Sequence, residues 1–258
     1  MKSKIVPIVL FCSAMFMPSC SGSGQDCVSS GEVYRIGDRE IEVVEHSCGE
    51  KGPTIFNMHD DENTSVKAAL EVIRKRGGRL IELRHTGERL VTFRIGSETY
   101  TVDPNRIFTD EGTRKTLEKY SSYSPPAFEA VRSFADKLLR DYGLDATGLI
   151  ITAHNNGADE YSAASYLPGA VYETDAAGVY IAEGSDPDDF FFVTTQKAYN
   201  GLKKAGFNVV LQNNDTVTDD GSLSVLAGRK NIPYINCEAE KGHLQEQVKM
   251  LEAVFAME

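Results

Sequence analysis

The chain reads as an α/β domain: a mostly parallel, mixed central sheet with helices on both faces, preceded by an N-terminal β-hairpin. Two observations predict this. Short apolar runs at residues 54–58, 80–84, 148–154, 208–211 and 233–238 are bounded by turn or polar residues and alternate with longer segments of helical periodicity. Three of these runs stop at a residue able to do chemistry, namely His59, His154 and Glu238, and open α/β sheets bind ligands beyond the carboxyl ends of their strands.

In chain order, residues 32–36 and 40–45 alternate apolar and polar around Gly37-Asp38, which predicts the hairpin. Residues 64–76 place Val66, Ala69, Leu70, Val72 and Ile73 at helical spacing, and Gly77-Gly78 stops the helix. A second hairpin, 90–95 with 99–102, turns at Gly96-Ser97 and exits through Asp103-Pro104-Asn105-Arg106, where the proline bars a central strand. Residues 126–142 carry the strongest helical pattern: Pro125-Pro126 at the start, Phe128, Val131, Phe134, Leu138 and Leu139 on one face, Gly143 at the end. From Asn155 to about Asp189 the chain is rich in Gly, Asp, Tyr and Ser and reads as one long irregular segment, a length that usually serves function. A helix at 194–205, a polar loop at 213–220, a helical turn or two at 222–229 and a final helix at 243–255 complete the pattern.

The first 19 residues stand apart. Lys2 and Lys4 precede an apolar run from Ile5 to Met17, too short to span a bilayer, and Pro18-Ser19-Cys20 follows: a signal peptide over 1–19. Cys20 with Ser21-Gly22-Ser23-Gly24 after it resembles the lipobox of bacterial lipoproteins. That resemblance implies cleavage before Cys20, lipidation of Cys20 and export to the bacterial cell envelope. Met17 and Pro18 depart from the usual box, so cleavage by ordinary signal peptidase stays open. Residues 20–30 would be a flexible tether, and 31–258 a single catalytic domain. Contact with the membrane is expected through the N-terminal lipid only. Without Lys2 and Lys4 the net charge moves from −11 to −13, which argues against a nucleic-acid partner. Cys27 and Cys48 flank the hairpin in an oxidising compartment, which favours a disulfide over two free thiols. Cys237 reads as a buried thiol.

His59-Asp60-Asp61-Glu62 leaves a strand and enters a helix. An imidazole and a carboxylate at this spacing can meet on one zinc ion, which takes both ligand types and in catalytic sites keeps one position open. Alone the motif is weak, because acidic residues and Asn63 also suit a helix start. Three further pieces follow in order: Asn105-Arg106, Ala153-His154-Asn155, and Glu238. Together they resemble the zinc metallocarboxypeptidase superfamily, including its aspartoacylase and succinylglutamate-desuccinylase branch.

The resemblance implies a zinc carboxypeptidase-like fold and a Zn2+ ion held by His59, Glu62 and His154. It implies Asn105 and Arg106 as holders of a substrate carboxylate, and Glu238 as the general base for water held at the zinc. The implied activity is hydrolysis of an amide or peptide bond in a small carboxylate-bearing substrate: a peptide, a cell-wall peptide or an acyl-amino acid. Glu240 shares the strand parity of Glu238 and competes for the role of base; Glu238 is preferred because it directly ends the apolar run. Asp61 is placed to orient a ligand. Arg94 is the nearest candidate for the additional Arg that many family members carry before the Asn-Arg pair. Tyr161, Tyr166, Tyr172 and Tyr180 are the candidates for a tyrosine over the substrate. His46 and His85 read as solvent-facing, and His243 as a surface residue at a helix start. Two other readings compete. Residues 151–156 are also similar to the His-Asn step of zinc N-acetylmuramoyl-L-alanine amidases, which need no Asn-Arg pair. A non-catalytic lipoprotein binding a ligand on the same fold is the third.

Overall fold

The computed structural model describes residues 25–144, 148–158 and 161–257. The signal peptide, Cys20 and the first residues of the expected tether lie outside them. Eleven strands and six helices follow one another among the described residues. The first hairpin is β1 (Cys27–Ile36) and β2 (Arg39–Cys48), paired from end to end so that Cys27 faces Cys48. These two cysteines form the expected disulfide. β1 therefore begins inside the stretch 20–30, and a tether can reach no further than Asp26.

β3 (Thr54–Asn57), α1 (Asn63–Arg76) and β4 (Gly78–Arg84) form a strand-helix-strand unit in which β3 and β4 pair in parallel. β5 (Val91–Ile95) and β6 (Glu98–Val102) make a separate two-stranded hairpin. α2 (Asp110–Tyr120) and α3 (Pro125–Asp141) come next, started by Thr109 and Ser124, whose hydroxyls accept from the N–H of Gly112 and Ala127. Then follow β7 (Ile150–Asn156), two short 3-10 turns, β8 (Ala176–Tyr180), β9 (Phe190–Val193), α4 (Gln196–Lys204), β10 (Asn208–Gln212), α5 (Leu223–Arg229), β11 (Tyr234–Glu240) and α6 (Leu244–Phe255).

Nine strands form one sheet in the order β1-β2-β4-β3-β7-β11-β9-β10-β8. Its centre, β4-β3-β7-β11, is parallel. β2, β9 and β10 run against that direction, so the sheet is mixed, with six strands one way and three the other. One face is covered by α3 and the β5–β6 hairpin, through Val131, Phe134, Leu138, Phe93 and Tyr100. The other is covered by α1, α4 and α6, through Ala69, Val72, Ile73, Leu202, Val248 and Leu251.

Two expectations change, and two elements, β9 and α2, form where the sequence pattern assigned none. β7 and β11 run two residues past His154 and Glu238, because Asn155, Asn156, Ala239 and Glu240 continue the parallel pairing. The long segment after Asn156 is not wholly irregular: β8 closes the sheet edge against β10. Phe190–Val193 is a buried strand between β11 and β10. α2 carries no apolar stripe; it buries Gly112, Thr113, Thr116 and Leu117, a face of small residues that periodicity does not mark.

A buried polar network ties the carboxyl ends of β3, β7 and β11 together. Asn57 Nδ2 donates to the Ser65 hydroxyl and the Ala153 carbonyl, at 2.6 and 3.2 Å. The Ser65 N–H donates to Asn155 Oδ1 at 2.9 Å. Asn155 Nδ2 donates to Gln247 Oε1, and Gln247 Nε2 donates to the carbonyls of His154 and Cys237, at 2.8 and 3.1 Å. Gln247 is fully buried on α6. Replacing it by Leu removes the donor shared by β7 and β11 and leaves Asn155 short of an acceptor. Gln247→Leu is therefore expected to lower unfolding free energy by about 1–3 kcal/mol in urea titrations. A change below about 0.5 kcal/mol would show that the network carries no stability.

Candidate metal centre

His59 lies two residues beyond β3, and a turn closed by the Glu62 N–H donating to the His59 carbonyl brings Glu62 back over it. Glu62 occupies the position that caps α1, yet its carboxylate makes no capping hydrogen bond. Its oxygens instead lie 2.8 Å from His59 Nδ1 and 2.8 Å from His154 Nδ1. The two Nδ1 atoms are 3.2 Å apart. All three side chains are buried. His154 enters from β7, where it is paired in register with Glu238 on β11.

The set fits zinc. Bonds of about 2.1 Å in a tetrahedral array place ligand atoms about 3.4 Å apart, so the observed spacings need only a few tenths of an ångström of side-chain rotation. His59 Nε2 donates to Asp103 Oδ1 at 2.8 Å, so a metal that displaces the other ring proton would meet the Nδ1 lone pair on the side of Glu62 and His154. The electrostatics also call for a cation. Burial alone would lower the His59 pKa, but the carboxylates of Glu62 and Asp103 outweigh it and push it up to about 9. Burial would raise both carboxyls, yet His59 and His154 hold Glu62, and His59 with Arg106 and Arg89 hold Asp103, well below the usual range. Among the described residues a second group, Asp186, Glu240 and His243, also brings potential ligands together, but at the surface.

Asp103, not Asp61, is thus the carboxylate that orients the His59 ring. It also accepts the N–H of Asn105 at 2.8 Å, so one side chain sets both the imidazole and the Asn105-Arg106 loop. Asp61 Oδ1 is buried with no partner among the described residues. Asp60 has a different role: its Oδ2 accepts the backbone N–H groups of His85, Thr86 and Gly87, at 2.6, 2.9 and 2.7 Å. That loop delivers Arg89, whose Nη1 donates to Glu62 Oε1 at 2.7 Å. The arginine that joins Arg106 at the site is therefore Arg89; Arg94 is an exposed residue of β5, outside the cavity. Sequence pattern gave no sign of Arg89, which sits in a polar stretch beside several equivalent charges.

The cavity next to these groups has a volume of about 530 Å³. Glu238, Asn105, Arg106, Tyr161, Tyr166 and Tyr172 line it. Glu238 is 6% exposed, its Oε2 accepts from Asn236 Nδ2 at 2.8 Å, and burial pushes its pKa up. Glu240 turns outside, toward His243, which is itself held by Asp189 at 3.0 Å. This separates the two carboxylates that shared a parity. Arg106 is anchored by its own loop: Nη1 donates to the Asn105 carbonyl at 2.7 Å, and Nε pairs with Asp220 at 3.1 Å. Asp220 is held close because Gly221 (φ +81°) packs directly on Gly112 of α2, where a Cβ on Gly112 would come within 2.0 Å of the Gly221 Cα. Tyr180 is absent from the cavity wall. His46 is mostly buried, its Nε2 2.8 Å from Glu82, and His85 is half-buried, so neither is the solvent-facing residue expected.

No protein-family model matches the chain, and no curated protein matches it in sequence. Among solved structures it is similar to the murein-tripeptide amidase MpaA from Escherichia coli O157, at 13% identity over 87% of this chain and 90% of that one, with a TM-score of 0.46. It is similar to an aspartoacylase family protein from Mesorhizobium loti, at 14% identity over 89% and 67%, with a TM-score of 0.40. It also resembles the cell shape determinant Csd4 from Helicobacter pylori, at 13% identity over 78% and 48%, with a TM-score of 0.44. The reading of the site rests on its own geometry.

Purified protein dialysed against zinc is expected to hold one equivalent by plasma mass spectrometry, and the double change His59→Ala with His154→Ala to hold none. Asp103→Asn is expected to weaken zinc binding about 10–100-fold in chelator competition. Unchanged affinity would remove Asp103 from the metal centre.

Proposed function

We propose that the chain is a zinc-dependent hydrolase of the metallocarboxypeptidase-like superfamily, cleaving an amide or peptide bond in a small carboxylate-bearing substrate such as a peptide, a cell-wall peptide or an acyl-amino acid. The observation that carries this is the meeting of three buried metal-ligand atoms, from His59, Glu62 and His154, with Glu238 and Arg106 on the wall of one cavity. Zinc bound there supplies a Lewis acid in a site largely screened from water. Glu238 takes a proton from the attacking water on its carboxylate as the oxygen joins the carbonyl carbon. It then passes that proton to the nitrogen as the C–N bond breaks. The Asn236 bond occupies Oε2 and leaves Oε1 for this work. Burial, which destabilises the charged carboxylate, makes Glu238 a better proton acceptor.

Arg106 presents a planar guanidinium matched to a substrate carboxylate, and Asn105 adds an amide beside it. The presence of that pair in the cavity favours this reading over a muramoyl-alanine amidase. Arg89 places a second guanidinium where negative charge would grow on the attacked carbonyl. The proposal also has the protein exported, the signal over 1–19 removed and Cys20 lipidated; the Cys27–Cys48 disulfide supports an oxidising compartment.

Glu238→Gln is expected to lower kcat on N-acyl-amino acids or dipeptides by about 10²–10⁴-fold while zinc content stays at wild-type level. Full activity in this variant would rule Glu238 out as the base. Arg106→Ala is expected to raise KM for substrates with a free carboxylate and to leave their amidated forms, already poor, little changed. In bacteria fed labelled palmitate, label is expected on the wild-type protein and not on Cys20→Ala.

A further inference from the structure

The cavity reaches well beyond the metal centre. Tyr234, Asn236 and Glu238 alternate along one face of β11, and all three line it. Gln212, at the end of β10, lines it too. The register places Gln212 in the row of Tyr234: Leu211 lies beside Val193, and Val193 beside Ile235. Four residues of extended strand separate that row from Glu238, about 13 Å. The reach suits a long side chain.

Gln212 is 2% exposed, and its Oε1 has no hydrogen-bond partner among the described residues. The orientation of the amide is not free. Nε2 donates to the Ser224 carbonyl at 3.2 Å and to Asn214 Oδ1 at 2.9 Å. Asn214 is fixed in turn, because its Nδ2 donates to the Thr194 carbonyl at 3.0 Å. Two backbone carbonyls at the ends of this chain accept only, so flipping either amide would set acceptor against acceptor. Gly228, inside α5, leaves the space these amides fill: a Cβ there would come within 2.5 Å of Gln212 Nε2 and 2.6 Å of Asn214 Oδ1. A glycine inside a helix costs about 1 kcal/mol against alanine, so the helix gives up stability to keep the amide pair in place. The outcome is a buried acceptor held rigidly at the cavity wall. An unpaired buried acceptor is costly, and a ligand that brings a donor removes that cost. Asn156 repeats the arrangement at the end of β7: Nδ2 donates to the Asp188 carbonyl, and the buried Oδ1 has no partner among the described residues.

We propose that Gln212 is a specificity-determining residue that selects substrates whose long side chain ends in a nitrogen donor, an ammonium or a carboxamide, through its Oε1 acceptor. This deepens the hydrolase reading and rests on it for the word substrate. Asp175 and Asp220 line the same cavity; its cations are Arg89, held by Glu62, Arg106, paired with Asp220, and Lys241.

The test compares matched dipeptides on the zinc-loaded protein: Ala-Gln against Ala-Met, and Ala-Lys against Ala-norleucine. Dissociation constants come from calorimetry and kcat/KM from turnover. Wild type is expected to favour the donor-bearing member of at least one pair about 10-fold or more. Gln212→Met, close in volume but without an oxygen acceptor, is expected to bring that ratio near one. Which of the two pairs shows the preference tells carboxamide from ammonium recognition. Gly228→Ala, which pushes the amide pair aside, is expected to reduce the ratio without touching Gln212. Equal ratios in wild type and Gln212→Met, or tighter binding of the apolar members, would overturn the proposal. Selective binding with no hydrolysis of any dipeptide would sink the hydrolase reading and leave the Gln212 assignment standing. Hydrolysis without selectivity would do the reverse, and no binding at all would overturn both.

Discussion

The site depends on the buried amide network that joins Asn57, Ser65, Asn155 and Gln247. Asn57 sits two positions before His59, Asn155 one after His154, and Gln247 donates to the carbonyls of His154 and Cys237, the latter adjacent to Glu238. Strand ends ordinarily fray, because their last backbone groups lack neighbours. Here three ends are linked by side chains that satisfy one another in a medium where an unmet amide costs about 1–3 kcal/mol. The network is the means by which three separate strands hold their chemistry to within a hydrogen bond's tolerance.

At the site, local rules of chain architecture give way. Glu62 stands where a helix wants a cap and offers none. Its carboxylate is committed to two imidazoles, and α1 begins without side-chain help. Gly228 and Gly112 are glycines in helices, and both are needed because other atoms occupy the volume of a Cβ. Residues that break a local preference while packing perfectly well are a mark of selection for something other than stability. Glu62 and Gln212 line one cavity, Gly228 packs on Gln212, and Gly112 packs on Gly221 beside Asp220 of the cavity wall.

Much of this architecture was legible in the sequence where a pattern repeats or a residue interrupts one. The buried strands under His59, His154 and Glu238 are continuous apolar runs, and α3 shows both a stripe and a proline start. These follow from burial and capping, which act locally. α2 was not legible because its buried face is Gly112, Thr113 and Thr116, residues that hydropathy does not distinguish from a loop. β9 was not because four residues, Phe190 to Val193, are too few for a period. Arg89 and Gln212 were beyond reach for another reason: each matters through a partner distant in sequence, Glu62, 27 positions away, in one case and Ser224, 12 away, in the other. Asp103 lay within the recognised Asp-Pro-Asn-Arg stretch, yet its bond to His59 spans 44 positions and only the fold reveals it.

The Arg106–Asp220 pair has a further consequence. Asp220 occupies the guanidinium much as an incoming carboxylate would, so the protein carries its own surrogate for the ligand. Without substrate, the half-buried arginine keeps a carboxylate partner. On the proposed reading, substrate capture is an exchange of one carboxylate for another. Its driving force is a difference between two similar ion pairs, and this leaves discrimination to whatever else the incoming molecule can touch. A guanidinium that is already satisfied makes a weak trap for stray anions and a selective one for a molecule that fits the whole cavity.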